Sequence, residues 1–197
     1  ANLSITCRCA GTDMSGGAIG ESLILDFTRH MNKFISWNQN LENSDSITVQ
    51  PGMFYRDFEK ITLEKGLILP CYTASKSLNA VGGMFGNNSA GEKTLKYGKT
   101  EDYILETKVI FADGIERTIK PIPLREISKQ DEIYKKIYNL INQNKNEIEK
   151  AKPKVHKNSA GYYIWNVITN QNLKNSSSLT LPGVPGGTYA TQKSSLA

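Results

Sequence analysis

At 197 residues the chain has room for one domain of ordinary size, or for two small lobes around a shared core. Hydrophobic residues make up 39% and charged residues 22%, a globular composition that excludes a wholly disordered chain. The net charge is +5, but Lys and Arg are interspersed with acids, as in Glu147-Ile148-Glu149-Lys150, which argues against a nucleic-acid-binding surface.

Leu3 to Arg8 reads as a short strand, with nothing before it, so a chain without its natural beginning is expected. Ala10 to Gly20 is a loop of small residues with no apolar period. Leu23 to Phe27 returns to a strand pattern. Ile47 to Gln50 is another strand, ended by Pro51-Gly52. Phe54, Phe58 and Ile61 fall at helical spacing, and Gly66 is placed to end that helix. Pro70 to Gly98 reads as one long polar, glycine-rich loop, a length that is usually functional or disordered.

Tyr103 to Phe111 alternates as a strand, Asp113-Gly114 is a hairpin signal, and Ile115 to Ile119 pairs back. Asp131 to Lys150 predicts one amphipathic helix with Ile133, Ile137, Leu140, Ile141 and Ile148 on one face, stopped by Pro153. Tyr162 to Val167 is a further strand or a buried aromatic segment. After Gln171 the chain turns Asn/Ser-rich and then Gly/Pro-rich, so its last twenty or so residues are expected to be poorly ordered.

No apolar run reaches the ~18 residues needed to span a bilayer. Ala1 to Arg8 has no basic segment followed by an apolar one. A cytoplasmic protein without a transmembrane segment is the expectation. Cys7, Cys9 and Cys71 are odd in number, and Cys7-x-Cys9 lacks the spacer of a zinc ribbon, so neither a disulfide framework nor a zinc site is expected. With only His30 and His156, no His-rich metal site is expected either.

Three stretches carry possible chemistry. The first is Arg8-Cys9-Ala10-Gly11-Thr12-Asp13-Met14-Ser15-Gly16-Gly17. Its small residues let backbone approach a ligand, its successive N–H groups can form an anion-binding concavity, and Thr12 and Ser15 add hydroxyl donors. From the glycines alone, the run reads equally as a diphosphate cradle or a plain surface turn. No Gly-Lys-Ser/Thr follows, and no helix follows, so neither a Walker loop nor a Rossmann fingerprint fits. The second is Pro70-Cys71-Tyr72-Thr73-Ala74-Ser75 with Val81-Gly82-Gly83-Met84-Phe85-Gly86-Asn87-Asn88-Ser89-Ala90-Gly91. Asn87 and Asn88 offer amide donors and acceptors suited to a flat heteroaromatic, although an ordinary Asn/Gly loop reads as readily. The third is Lys96-Tyr97-Gly98-Lys99-Thr100-Glu101-Asp102.

In this order the pieces resemble the PCMH-type (vanillyl-alcohol-oxidase-like) FAD-binding domain of FAD-linked oxidases and dehydrogenases, the D-lactate dehydrogenase and glycolate oxidase group. Arg8, Gly11, Thr12, Ser15, Gly16 and Gly17 match the family's diphosphate motif, while Cys9 replaces its usual glycine. Val49-Gln50-Pro51-Gly52 is similar to its Val-x-x-Pro-Gly segment. Leu69, Pro70 and Ser75, then Gly82, Gly83, Asn88 and Gly91, then Tyr97, Gly98 and Asp102, then Ala112-Asp113-Gly114, follow its later motifs.

The resemblance implies an α+β fold of two small mixed sheets with flanking helices, an incomplete N-terminal lobe, and FAD as cofactor. It implies cofactor contacts from Arg8, Cys9, Ala10, Gly11, Thr12, Asp13, Ser15 and Gly16. Pro70, Ser75, Gly82, Gly83, Asn87, Asn88, Ser89, Tyr97, Gly98 and Asp102 join that set. The implied FAD-binding domain runs over residues 1–169, with a divergent tail at 170–197. There Gly183 to Ala190 keeps only a Gly-Thr core of the family's next motif, and Lys157 to Tyr162 still looks like the segment before it. The expected activity is oxidation of a small 2-hydroxy acid by a longer relative, or flavin binding without catalysis by a truncated remnant. No catalytic residue is assigned.

Overall fold

The computed structural model describes residues 3–21, 23–40, 44–155, 162–169 and 178–179. The chain divides into two compact units, the first running to Thr118 and the second beginning at Ile119.

In the first unit, β1 (Ile5–Arg8) and β2 (Leu23–Asp26) pair in parallel, Ile5 against Leu23 through Arg8 against Asp26. Parallel neighbours cannot be joined by a tight turn and need a crossover of about a dozen residues. The glycine-rich run is that crossover, so the strand pairing forces it into a long excursion off the end of β1. β3 (Phe34–Asn40) and β4 (Ser44–Val49) then form an antiparallel pair. β4 was legible as Ile47 to Gln50, whereas β3 had no strand assignment, because its Asn38-Gln39-Asn40 end masks the apolar start.

Helix α1 (Tyr55–Leu63) buries Tyr55, Phe58 and Thr62. It ends as the sequence suggested. Gly66 sits at φ +65°, its N–H donates to the Leu63 carbonyl and the Leu67 N–H reaches back to Thr62. This double closure satisfies carbonyls left open at a helix end and requires a residue that tolerates positive φ. Tyr55 and Phe58 join Ile47, Val49, Met53, Leu69, Cys71, Val81 and Met84 in one buried cluster. The Tyr55 hydroxyl donates to the Leu69 carbonyl at 3.0 Å, which satisfies the one polar atom that this ring carries inside.

Residues 70–98, expected as one loop, contain α2 (Val81–Gly86) and the single turn α3 (Thr94–Tyr97). Tyr103 likewise belongs to a 3₁₀ turn (Thr100–Tyr103), and the following strand β5 is confined to Thr107–Ile110. Within β5 the expected alternation holds, with Thr107 and Val109 buried and Lys108 and Ile110 facing out. β6 (Glu116–Ile119) pairs back on β5. Gly114 lies at φ +77°, and the Asp113 side chain accepts the Ile115 N–H and the Arg117 guanidinium. Those bonds hold the Asp113 carboxyl down at about 2.

The second unit holds β7 (Ile122–Pro123), β8 (Ile168–Thr169) and β9 (Ser178–Leu179) in the antiparallel order β7-β9-β8. The single helix expected over 131–150 is two, α4 (Glu132–Gln143) and α5 (Lys145–Ala151). The Asn144 side chain donates to the Leu140 carbonyl at 2.8 Å and so competes with helix propagation there. Residues 162–167 hold a 3₁₀ turn (Ile164–Asn166) rather than a strand, with Tyr163 and Trp165 edge to face at 5.1 Å. Lys157 to Gly161, His156 and Gly183 to Ala190 lie outside the described residues, as does the tail after Thr169 apart from β9. Helices mixed with small sheets make this an α+β protein. Among the described residues no helix is long and apolar enough to cross a membrane.

Phe58 has no exposed surface. Phe58→Ala therefore leaves a void and is expected to lower stability by about 3–5 kcal/mol. Leu63→Ala, on the exposed face of the same helix, changes it by less than about 0.5 kcal/mol. Urea unfolding of the two variants checks the contrast.

Candidate cofactor site

The site starts from a close approach of backbone. Helix α2 begins where Ala80 leaves an extended conformation, and its first N–H groups point at other segments. The Val81 N–H donates to the Met53 carbonyl at 2.9 Å and that of Gly82 to the Pro51 carbonyl at 2.7 Å. The Gly83 N–H bonds the Cys9 sulfur, and the Cys9 thiol reaches the Pro51 carbonyl at 3.4 Å. A Cβ on Gly82 would stand 2.7 Å from the Cys9 sulfur and 2.8 Å from the Pro51 oxygen, too close for any side chain. Gly52 is pressed in the same way against the Phe27 carbonyl. The glycines here are demanded by contact, which outweighs the roughly 1 kcal/mol that a helix loses to glycine.

This packing sets the two glycine-rich stretches face to face across a cavity of about 290 Å³. From the first stretch, Cys9, Ala10, Gly11, Thr12 and Asp13 line it. Ser75, Gly82, Gly83, Asn87 and Ser89 line it from the second. The remaining expected residues sit elsewhere. Arg8 lays its guanidinium against the Gly11 backbone, where φ is +66°. Ser15 turns its hydroxyl to Asp13, at 2.9 Å, and Gly16 supplies the turn's positive φ of +79°.

Pro70 is buried behind the cavity. Asn88 accepts the Glu101 N–H at 3.1 Å through its side chain. The Tyr97 carbonyl takes the Tyr103 hydroxyl, and Asp102, packed against Gly98, accepts the Lys99 N–H at 2.8 Å. Of these four, Asn88 ties the second stretch to the third through Glu101, and the other three hold the third stretch to itself. Thr100 also joins the second stretch, bonding the Ser89 carbonyl through both its N–H and its hydroxyl.

Sequence reasoning missed Cys7, Phe27, Thr73 and Asn79, all of which line the cavity. Cys7 was within reach, since residues two apart on a strand share a face and Cys9 was already assigned. Thr73 and Asn79 carry no such signal. They form a half-buried polar chain in which the Asn79 amide donates to the Thr73 hydroxyl at 2.7 Å and that hydroxyl meets Ser75 at 2.9 Å. The Asn79 side-chain oxygen is buried without a partner.

Burial pushes the Cys9 thiol up to about 11, so it is neutral at ordinary pH. The Asp13 carboxyl is held below its usual range by the Ser15 N–H, the Ser15 hydroxyl and the Gly17 N–H. Among the described residues no cluster of side chains could hold a metal ion. The arrangement offers a narrow slot between two backbones, with N–H donors on one wall and a polar chain on the other.

Residues 1–120 match a family described as an FAD binding domain. The chain is 35% identical over 112 residues to the glycolate oxidase subunit GlcD of Bacillus subtilis, covering 56% of this chain and 23% of that protein. It is 24% identical over 177 residues to D-2-hydroxyglutarate dehydrogenase of Escherichia coli, covering 86% of this chain and 17% of that one. Among solved structures, 6-hydroxy-D-nicotine oxidase from Arthrobacter nicotinovorans is similar with a TM-score of 0.50 and 25% identity, over 60% of this chain and 25% of that one. The chain thus spans about a fifth of the length of these curated relatives.

Gly82 and Gly83 separate contact from propensity. Gly82→Ala is expected to destabilise by about 1–2 kcal/mol although alanine favours helices. A Cβ on Gly83 would meet nothing nearer than the Cys9 Cβ at 3.8 Å. Gly83→Ala is expected to be neutral or to stabilise by up to about 1 kcal/mol. Thermal unfolding of both variants reads the difference.

Proposed function

The chain belongs to the family of FAD binding domains, and on that premise we propose that its cavity is the FAD site of a flavin-dependent oxidoreductase acting on a small 2-hydroxy acid such as glycolate or D-lactate. The observation that carries this reading is that the two glycine-rich stretches line one cavity. The residues fit a dinucleotide. The N–H groups of Gly11 and Thr12, both in the cavity lining, have no partner among the described residues, and Thr12 adds a hydroxyl beside them. Such successive donors suit a diphosphate. Gly82 and Gly83 keep the opposite wall bare, and Asn87 and Ser89 place hydrogen-bonding groups along it, which suits a flat ring. At about 290 Å³ the cavity is at the small end of ligand sites and takes part of a dinucleotide.

FAD, when bound, would supply the redox chemistry of such an oxidation. The chain's own residues bind and orient it. None of the described residues lining the cavity suits proton abstraction. Cys9 is held protonated by burial, and Asp13 is tied to three donors. The substrate class rests on the relatives, two of which are by name a glycolate oxidase subunit and a D-2-hydroxyglutarate dehydrogenase. In this reading the FAD-binding part lies within residues 1–169, and the three free cysteines support a reducing, cytoplasmic setting.

The lack of a proton acceptor in the lining favours a second reading, a domain that holds flavin without catalysis. One experiment separates the two. The protein is loaded with FAD and mixed anaerobically with glycolate, D-lactate and D-2-hydroxyglutarate in turn. The first reading expects one of them to bleach the yellow flavin band. Bound flavin that none of them bleaches supports the second reading. A chain that takes up no FAD contradicts both.

A further inference from the structure

We propose that Asp13 sets the affinity for FAD by holding its own carboxylate on donors that the diphosphate would use. This rests on the reading of the cavity as the FAD site and adds to it a residue that works against the ligand.

The contacts are specific. One carboxylate oxygen of Asp13 accepts the Ser15 N–H at 3.1 Å and the Ser15 hydroxyl at 2.9 Å. The other accepts the Gly17 N–H at 2.9 Å. The seat is shaped for it, since a Cβ on Gly17 would stand 2.7 Å from that oxygen. The carboxylate thus uses two of the turn's backbone donors and one hydroxyl. Bonds to an ionised acceptor are the stronger kind, and at this exposed position water screens them, so the carboxylate competes with an incoming anion without being locked in place.

The charge acts in the same direction. Among the described residues lining the cavity, Asp13 is the one Asp, Glu, Lys or Arg. The nearby Arg8 lies against Gly11 and shares its field with Asp26, which it faces across the β1–β2 pair. A diphosphate entering the slot carries about two negative charges and meets a carboxylate with no cation in the wall, and like charges at short range disfavour one another. In this proposal the diphosphate and the Asp13 carboxylate compete for the Gly17 and Ser15 donors, and FAD binds more weakly than it would to the same turn without that carboxylate.

Two variants of the full chain test this by titration with FAD, followed by quenching of flavin fluorescence. Asp13→Asn keeps one acceptor for the Ser15 N–H but removes the charge, and Asp13→Gly removes the side chain. Both are expected to lower the Kd for FAD about tenfold or more, the scale of one charge-assisted bond. A gain in affinity cannot come from misfolding. Riboflavin, which has the ring but no diphosphate, serves as the control and is expected to bind the wild type and both variants alike. FAD binding that is equal or weaker in both variants overturns the proposal and leaves the FAD site standing. A parallel gain for riboflavin overturns the diphosphate as the group with which Asp13 competes. If neither wild type nor variants bind FAD, the reading of the cavity falls and the role of Asp13 falls with it.

Discussion

The carbonyl of Pro51 is the point on which the site hangs. It accepts the Gly82 N–H from one side and the Cys9 thiol from another, and Gly82 has no room for a side chain. Pro51 follows β4, Cys9 follows β1 and Gly82 opens α2, so one oxygen fixes three segments that are far apart in sequence. Around it lie Val49, Met53, Val81 and Met84, all buried. The hydrophobic cluster holds the Pro51 and Gly82 segments together, and the hydrogen bonds to Pro51 and from Gly83 bring Cys9 onto them. The cavity is what remains between the two glycine-rich stretches once that contact is made.

The parallel pairing of β1 and β2 supplies the other half of the geometry. It obliges the chain to leave β1, travel and return, and the travelling segment becomes one wall. A wall made of such a segment is mostly exposed, and Asp13 at its rim stabilises it locally by taking up N–H groups. The same bonds occupy two backbone N–H groups and one hydroxyl of the turn.

Much of the site was legible in the sequence because small residues at close contacts leave a visible trace. Gly11, Gly82 and Gly83 stood out as points of close backbone approach, the family resemblance gave them to the cofactor, and they line the cavity. Gly66 and Gly114 were read as a helix end and a turn for the same reason, and both adopt positive φ. Other features depend on tertiary partners that no local pattern reveals. Helix α2 was hidden because two of its six residues are glycines, which local propensity counts against a helix. Strand β3 was hidden by its polar end, and the break at Asn144 by an apolar period that continues past it. Asn88, Tyr97, Gly98 and Asp102 had been given to the cofactor because the family resemblance brought them in. The structure has them bonding to, or packed against, neighbouring residues behind the wall. A motif's residues do not all touch its ligand, and some only hold the others in place.

Backbone amide hydrogen exchange, measured with and without FAD, tests the central claim most directly, because the claim is that FAD lies between two particular walls. The account predicts slowed exchange in residues 9–18 and 79–89 on adding FAD, with little change in α4 and α5. No slowing at all, or slowing centred on residues 132–151 while both walls exchange as before, would contradict it.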